Sequence, residues 1–243
     1  MVTGPDAPVS RFLRTTDAHV SCFFLPLPKT WWSRGYEYLW AGQFALPGTV
    51  VLDAGAGIPH PFKFWLARNS LTVYAVDVDP RITVPEAVYE AVAEEFGEKG
   101  VERVRSAMGA VHTVCASLER LPFAAETFDT VFCLSTWEHL TPTQQAGALV
   151  EMGRVVKPSG HVVMTMDVPP ASPARLQLLA RRAGLGFAGP VDFHRDRDNV
   201  FNTPWGPLSC FRALLVPQRQ LPAPTEAAQH ARRVDYRNPS GGD

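Results

Sequence analysis

Cysteine is scarce in this 243-residue chain, with four in all. Cys22, Cys115, Cys133 and Cys210 form no C-x-x-C pair, which excludes a disulfide framework and a cysteine-ligated zinc site. An excess of either charge is also missing: 23 Lys and Arg stand against 24 Asp and Glu, for a formal net charge of −1. A nucleic-acid partner is therefore not expected, because its phosphates call for a basic surface. Long hydrophobic runs are absent as well. Val20 to Leu27 is short and broken by Pro26, so neither a signal peptide nor a membrane span is expected. The reading is a cytoplasmic protein in a reducing compartment, with a small-molecule substrate and an oligomeric state left open. No internal repeat is visible.

One more absence is local. The run Val50-Val51-Leu52-Asp53-Ala54-Gly55-Ala56-Gly57 reads as a buried parallel strand leading into a tight glycine turn. A helix is expected from Pro61 to Ala67, with proline in its first turn. Strand, glycine turn and helix build a nucleotide-type pocket at the carboxyl ends of the strands in a doubly wound α/β domain. A dinucleotide fingerprint needs a third glycine, and His60 stands in its place beside Pro59. Asp53, just before the turn, repels a pyrophosphate and suits a cationic amine. Leu71 to Asp77 supplies the next strand and ends in a carboxylate fit to accept hydrogen bonds from a ribose. S-adenosylmethionine carries an amine, a sulfonium, a ribose and no phosphate, and it meets all of these conditions.

The chain divides into three parts. Residues 1–48 carry Phe23-Phe24, Trp31-Trp32, Tyr36, Tyr38 and Trp40, and are read as an aromatic cap or substrate lid, helical from about Ser33 to Phe44. Trp31, Trp32 and Tyr36 are candidates to line the pocket mouth; the plain alternative is a helix that only completes the core. Residues 49–216 alternate strand and helix, as a mostly parallel Rossmann-like sheet of about seven strands requires. Thr83 with Glu86 reads as a capping box, Gly97 to Gly109 as loop, and Ala110 to Cys115 as the third strand. Thr130 to Leu134 is the fourth strand. Thr141 opens a helix to about Val156, Lys157-Pro158-Ser159-Gly160 ends it, and His161 to Met166 is the fifth strand. A helix follows from Ser172 to near Gly184, with last strands at Phe187 to Phe193 and Cys210 to Val216. Residues 217–243, with Arg232, Arg233 and Arg237, read as a flexible tail.

Four ordered blocks carry a family resemblance. They are Val51-Leu52-Asp53-Ala54-Gly55-Ala56-Gly57; Val73 to Pro80; Leu121-Pro122-Phe123 with Phe128-Asp129-Thr130-Val131; and Glu151 with Arg154-Val155-Val156-Lys157-Pro158-Ser159-Gly160. Together they resemble the class I S-adenosylmethionine-dependent methyltransferases, in the small-molecule branch similar to the ubiquinone-biosynthesis enzymes. The resemblance spans about Thr49 to Val168 and implies roles. Asp53, Gly55 and Gly57, with Ala54 and Ala56 between and beside them, would hold the methionine part of the cofactor. Asp77, followed by Val78, would meet the ribose. Ser117, where the family often has aspartate, and Leu118 would meet the adenine. Ser135 and Thr136 would lie beside the sulfonium. By their place before the first block, Arg34 is assigned to the cofactor carboxylate and Tyr36 to the cofactor or the substrate. Ser159 replaces a glycine at a turn.

Methyl transfer from a sulfonium needs a base only when the acceptor holds its proton tightly. His139, in Trp137-Glu138-His139-Leu140, is the candidate base, with a structural role as its rival. Some relatives bind a divalent metal through a glutamate at the position of Ser135, so no metal is expected. Asp192, His194, Arg195, Asp196 and Asp198 form either a polar substrate pocket or a solvated loop, and His60 is a further candidate. Glu151 and Arg154 read as structural. The expected activity is methyl transfer to a hydroxyl of a small, secondary-type metabolite. Two rivals stay open: a non-methylating protein on the same fold (a cyclase or scaffold), and a nicotinamide-dependent oxidoreductase.

Overall fold

The computed structural model describes residues 8–69 and 71–220. In chain order its elements are β1 (Ser10–Phe12), β2 (Cys22–Phe23), β3 (Leu25–Pro26), α1 (Arg34–Ala41), β4 (Val50–Ala54), α2 (Phe62–Arg68), β5 (Thr72–Asp77) and α3 (Pro85–Met108). There follow β6 (Val111–Cys115), β7 (Phe128–Leu134), α4 (Pro142–Val155), β8 (Val156–Val168), α5 (Pro173–Arg182), β9 (Leu185–Phe187), β10 (Val191–Asp192), β11 (Phe201–Thr203) and β12 (Gly206–Pro217).

The main sheet runs β10-β1-β12-β8-β7-β4-β5-β6. Strands β6, β5, β4, β7 and β8 are parallel to their neighbours, and β12 is antiparallel to β8. Strand β4 pairs with β5 on one side and β7 on the other. The chain order reverses there, so the turns after β4 and β7 part and leave a crevice at their carboxyl ends.

Alternation along the strands sorts the core into two layers. Val51, Val73, Ala75 and Phe132 pack with α1, α2 and α3. Leu52, Val76, Val131 and Cys133 pack with α4 and α5. Helix α4 starts where Thr141 and Gln144 close a capping box around Pro142. Ser172 caps α5 in the same way, by accepting from the Arg175 N–H.

Several expectations are corrected. The sheet holds ten strands rather than about seven. Part of the N-terminal segment belongs to it, because β1 pairs with both β12 and β10. The stretch from Gly97 to Gly109 is not a loop. Gly97, at φ +68°, bends α3, and the helix then continues to Met108. Thr83 closes no capping box; its hydroxyl donates to the Pro80 carbonyl, and α3 begins after Val84. The Lys157 to Gly160 turn lies within β8, which starts at Val156 and shifts register against β7 between Phe128 and Thr130. The expected strand from Phe187 to Phe193 is split into β9 and β10, because β9 pairs with β12 and β10 with β1. The expected tail lies outside the described residues beyond position 220.

Two of the four blocks are explained by packing. Arg154 donates to the carbonyls of Phe123 and Leu121 and to Glu151, whose carboxylate accepts from the Leu121 N–H. Asp129 accepts from the Val50 N–H and from Lys157. These contacts hold the loop before β7 and the start of β4, away from the carboxyl ends.

Candidate functional site

A cavity of about 250 Å³ opens at the carboxyl ends of β4 and β7. Its floor is the glycine turn. The N–H groups of Gly55 and Ala56 donate to the Val76 carbonyl at 2.8 and 2.9 Å, so the turn folds back over β5. Gly55 sits at φ +78°, and a Cβ there would lie 2.2 Å from the Thr136 side chain. Gly57 sits at φ +58°, and a Cβ there would meet the His60 ring at 2.4 Å. Both positions thus need glycine for conformation and for space. Thr136 closes the opposite wall by donating its hydroxyl to the Gly55 carbonyl at 3.0 Å.

The missing third glycine is replaced by packing. His60 turns its ring onto Trp31, with centroids 4.2 Å apart, and its Nδ1 lies 3.0 Å from the Tyr38 hydroxyl. Burial holds its pKa well below the ordinary 6.5, helped by the Arg34 and Lys63 charges, so the ring is neutral. Lys63 is buried under the turn and donates to the carbonyls of Gly57, His60 and Ala56 at 2.5, 2.8 and 3.3 Å. Burial lowers its pKa to about 8 against the pull of Asp53 and Asp77. Its clamp shapes the exit from the turn that a dinucleotide fold leaves to glycine.

Asp53 and Asp77 both line the cavity. Asp77 accepts from the Gly57 N–H at 2.8 Å and the Asp79 N–H at 3.0 Å. Asp53 is 4 % exposed, and its Oδ2 has no hydrogen-bond partner. Burial pushes its pKa up to about 7; Lys63 opposes the shift and Asp77 adds to it. A buried carboxylate oxygen without a donor is costly unless a ligand supplies one.

Helix α1 provides the third wall. Arg34 and Tyr38, one turn apart, face the cavity. Glu37 lies behind them, fully buried. It pairs with Arg34 at 2.7 Å, and accepts from Ser135 Oγ at 2.8 Å and from the Thr165 hydroxyl. Burial alone would raise the Glu37 pKa, but Arg34 and the hydroxyl donors outweigh it and hold the carboxylate below its ordinary range. Ser135 adopts φ +42°, which is strained for a residue with a Cβ. The strain is held by its N–H, bonded to both oxygens of Thr165, and by its bond to Glu37.

The cavity therefore brings together Arg34, Asp53, Gly55, Ala56, Gly57, Asp77, Ser135, Thr136 and His139. His139 remains exposed; partial burial and the Arg34 charge keep its pKa below 6.5. Ala54 is buried in β4 beneath the turn. Val78, Ser117 and Leu118 lie beyond the cavity, at the ends of β5 and β6, where the Ala116 N–H donates to the Asp77 carbonyl. Val78 is 72 % exposed there, an apolar surface at the edge of the crevice. Tyr36 does not line this cavity. Two residues from Arg34 is about half a helical turn, so its ring points the other way and stacks on His19, 4.5 Å between centroids. Trp32 shares that side, against Phe201 at 5.0 Å. The residues from Asp192 to Asp198 are exposed and bond mainly to their own backbone, as a solvated loop does.

Sequence reasoning missed Glu37, Lys63, the contact between Tyr38 and His60, and a carboxyl pair behind the site. Glu138 accepts from the Asp167 N–H at 2.9 Å, and its Oε2 and the Asp167 Oδ1 have no partner. Burial pushes the two groups up to about 8 and about 7. No group of His, Cys, Asp and Glu among the described residues is placed to hold a metal ion, and no helix among them is long and apolar enough to cross a membrane.

The family described as "Methyltransferase domain" matches residues 52–164, which contain the glycine turn, Asp77 and the β7 end of the cavity. Residues 52–164 thus carry a methyltransferase domain, similar to the class I S-adenosylmethionine-dependent enzymes. The chain is 32 % identical over 124 residues to the "Uncharacterized methyltransferase YcgJ" of Bacillus subtilis, covering 51 % of this chain and 42 % of the relative. It is 28 % identical over 130 residues to the "Uncharacterized methyltransferase YodH" of the same organism, covering 51 % and 48 %. The chain thus spans about half the length of these curated relatives. A TehB-like S-adenosylmethionine-dependent methyltransferase from Corynebacterium glutamicum shares the fold. Its TM-score is 0.51 at 16 % identity, covering 78 % of this chain and 95 % of that one.

The cofactor of this methyltransferase fold is S-adenosylmethionine, and the residues present fit it. The unpartnered Asp53 oxygen lacks the donor that an ammonium brings. The glycine turn leaves the space that two Cβ atoms would fill. Arg34 offers a guanidinium to a carboxylate.

Proposed function

We propose that this protein transfers a methyl group from S-adenosylmethionine to a hydroxyl of a small, secondary-type metabolite. The observation that carries the reading is Asp53, buried at the cavity floor with one oxygen unpartnered, in a cavity also lined by a guanidinium anchored by a buried glutamate. That charge pattern matches an amino acid end group.

In this reading Asp53 binds the ammonium and Arg34 the carboxylate of the methionine part. The turn from Ala54 to Gly57 lets the backbone come close. Asp77 accepts from the ribose hydroxyls, and Val78, Ser117 and Leu118 flank the adenine. Ser135 and Thr136 line the wall beside the reacting centre. When bound, the cofactor supplies an electrophilic methyl on a sulfonium that leaves as a neutral thioether. The chain must then orient the acceptor, exclude water and take its proton. His139 suits the proton transfer, because its lowered pKa leaves it neutral at pH 7 with a ring nitrogen able to accept. Glu138 and Asp167, both close to neutral in pKa, stand behind it as further proton-holding groups.

The experiment is incubation with methyl-labelled S-adenosylmethionine and a panel of hydroxylated small molecules, alongside calorimetry with S-adenosylhomocysteine. Label transfer to a hydroxyl is the expected result. Absence of binding overturns the reading, and turnover without label transfer replaces it with a non-methylating reaction.

A further inference from the structure

Lys63 takes no part in the steps above, yet it is fully buried under the glycine turn. An ammonium in the interior is costly unless its donors are satisfied. It has three N–H groups and no acceptor. The carbonyls of Gly57, His60 and Ala56 stand around Nζ at 2.5, 2.8 and 3.3 Å, one for each. They span the second half of the turn and its exit, where a dinucleotide fold would use a third glycine.

The exit is braced from the other side as well. The His60 ring stacks on Trp31, which lines a second cavity, of about 510 Å³, on the far side of α1. Trp32, Tyr36 and Phe201 are the other rings of that cavity. Lys63 thus fixes the main chain of His60, while Trp31 fixes its ring.

The charges acting on Lys63 are Asp53 at the end of β4 and Asp77 at the end of β5. Lys63 acts in turn on His60, which Arg34 also reaches from α1. The Lys63 donors go to carbonyls and not to either carboxylate, and Asp53 Oδ2 stays unpartnered. A salt bridge to that oxygen would have closed it. The ammonium instead supports the Asp53 charge across space and leaves the oxygen to a ligand. Without Lys63, burial and Asp77 would both favour the neutral acid.

We propose that Lys63 is a positioning residue of the cofactor site: its ammonium holds the exit of the glycine turn and serves Asp53 as a counter-charge that keeps the binding oxygen open. The proposal rests on the reading of Asp53 as the ammonium site. Both roles require the proton. A neutral amine keeps two N–H groups and turns a lone pair towards a carbonyl oxygen. Burial lowers the Lys63 pKa from 10.5, so the site carries an alkaline limit of its own, separate from that of the ligand's amine.

Calorimetry on the full chain tests it, from about pH 5.5 to about pH 9.5, with S-adenosylhomocysteine and with its deaminated analogue. Lys63→Met weakens S-adenosylhomocysteine at least about tenfold at neutral pH. It also moves the acid limb of binding up by about one pH unit or more, because Asp53 loses its counter-charge. Lys63→Arg keeps charge and donors, and its acid limb stays where the wild type has it. A lysine that only supported the fold would lower affinity equally at every pH. The analogue has no amine to titrate, so its alkaline loss belongs to the protein. The wild type loses it below the ordinary lysine range, and Lys63→Arg does not, because a guanidinium stays charged. Thermal melting checks folding, and the analogue titration of the wild type decides if the variants unfold. The proposal is overturned if folded Lys63→Met keeps the wild-type acid limb, or if the wild type holds the analogue undiminished up to the ordinary lysine range. Binding of S-adenosylhomocysteine with no acid limb overturns the Asp53 reading, and the proposal with it. Failure of S-adenosylhomocysteine to bind the wild type overturns the methyl-transfer reading itself.

Discussion

On one side of α1 the cavity wall is backbone and buried charge; on the other it is ring faces. The first wall is over-determined. Gly55, Thr136, Ser135, Glu37 and Arg34 form a connected set of bonds and neighbours, and Lys63 clamps the turn from below. In the second wall the side chains meet through ring contacts between distant segments. A site that binds one fixed molecule benefits from the first construction, because pre-organised polar groups lose little on binding. A site that takes a ligand by shape is served by the second. One helix thus separates a wall suited to a constant ligand from a wall suited to a variable one.

The sharpest way to break this comparison is to attack the buried charge. Glu37→Gln leaves Arg34 without its carboxylate inside the protein, and should cost about 3–5 kcal/mol in denaturant unfolding. A cost under about 1 kcal/mol would mean the network does not hold the wall. Next is Gly55→Val, which forces a side chain into Thr136 at an unfavourable φ. Calorimetry should show S-adenosylhomocysteine weakened at least about 100-fold, or about 2.7 kcal/mol.

The third effect is on pH. Asp53 in the free protein has its pKa raised to about 7 by burial, and it binds the ammonium only when ionised. Affinity should therefore rise from about pH 5.5 towards pH 7, by up to about tenfold per unit below the pKa. It should fall again above about pH 8, as the ligand's own amine loses its proton. Asp53→Asn should bind weakly and lose the acid limb; an acid limb that survives in the variant assigns it to another group. The smallest effect comes from the other side of α1. Phe201→Ala should change S-adenosylhomocysteine affinity by less than about twofold, since Phe201 touches the second wall alone. A larger change would show that the cavities are not independent.

Legibility followed the same division. Asp53, Gly55, Gly57 and Asp77 were readable because a strand, a turn and the next strand fix their separation along the chain. Arg34 was placed at the site by its position before the first block, and Tyr36 with it. Only one of them could face the cavity, since residues two apart lie on opposite sides of a helix. The expected loop from Gly97 to Gly109 failed because Gly97 bends α3 without ending it. Ser10–Phe12 gave no sign of a sheet strand, being three residues long and paired with segments about 180–200 residues away.

By itself, then, the sequence determined the strand–turn–helix frame, the two carboxylates at its strand ends and the resemblance to the methyltransferases. These depend on local spacing and on the burial pattern of single strands. Tertiary structure alone decided that Lys63 and His60 replace the third glycine, that Glu37 anchors Arg34 while held by Ser135 and Thr165, and that Phe201 completes an aromatic cavity with Trp32 and Tyr36. Those arrangements join residues as far apart in sequence as Glu37 and Thr165, or Trp32 and Phe201. Only the closed sheet and the docked N-terminal segment bring such groups into contact.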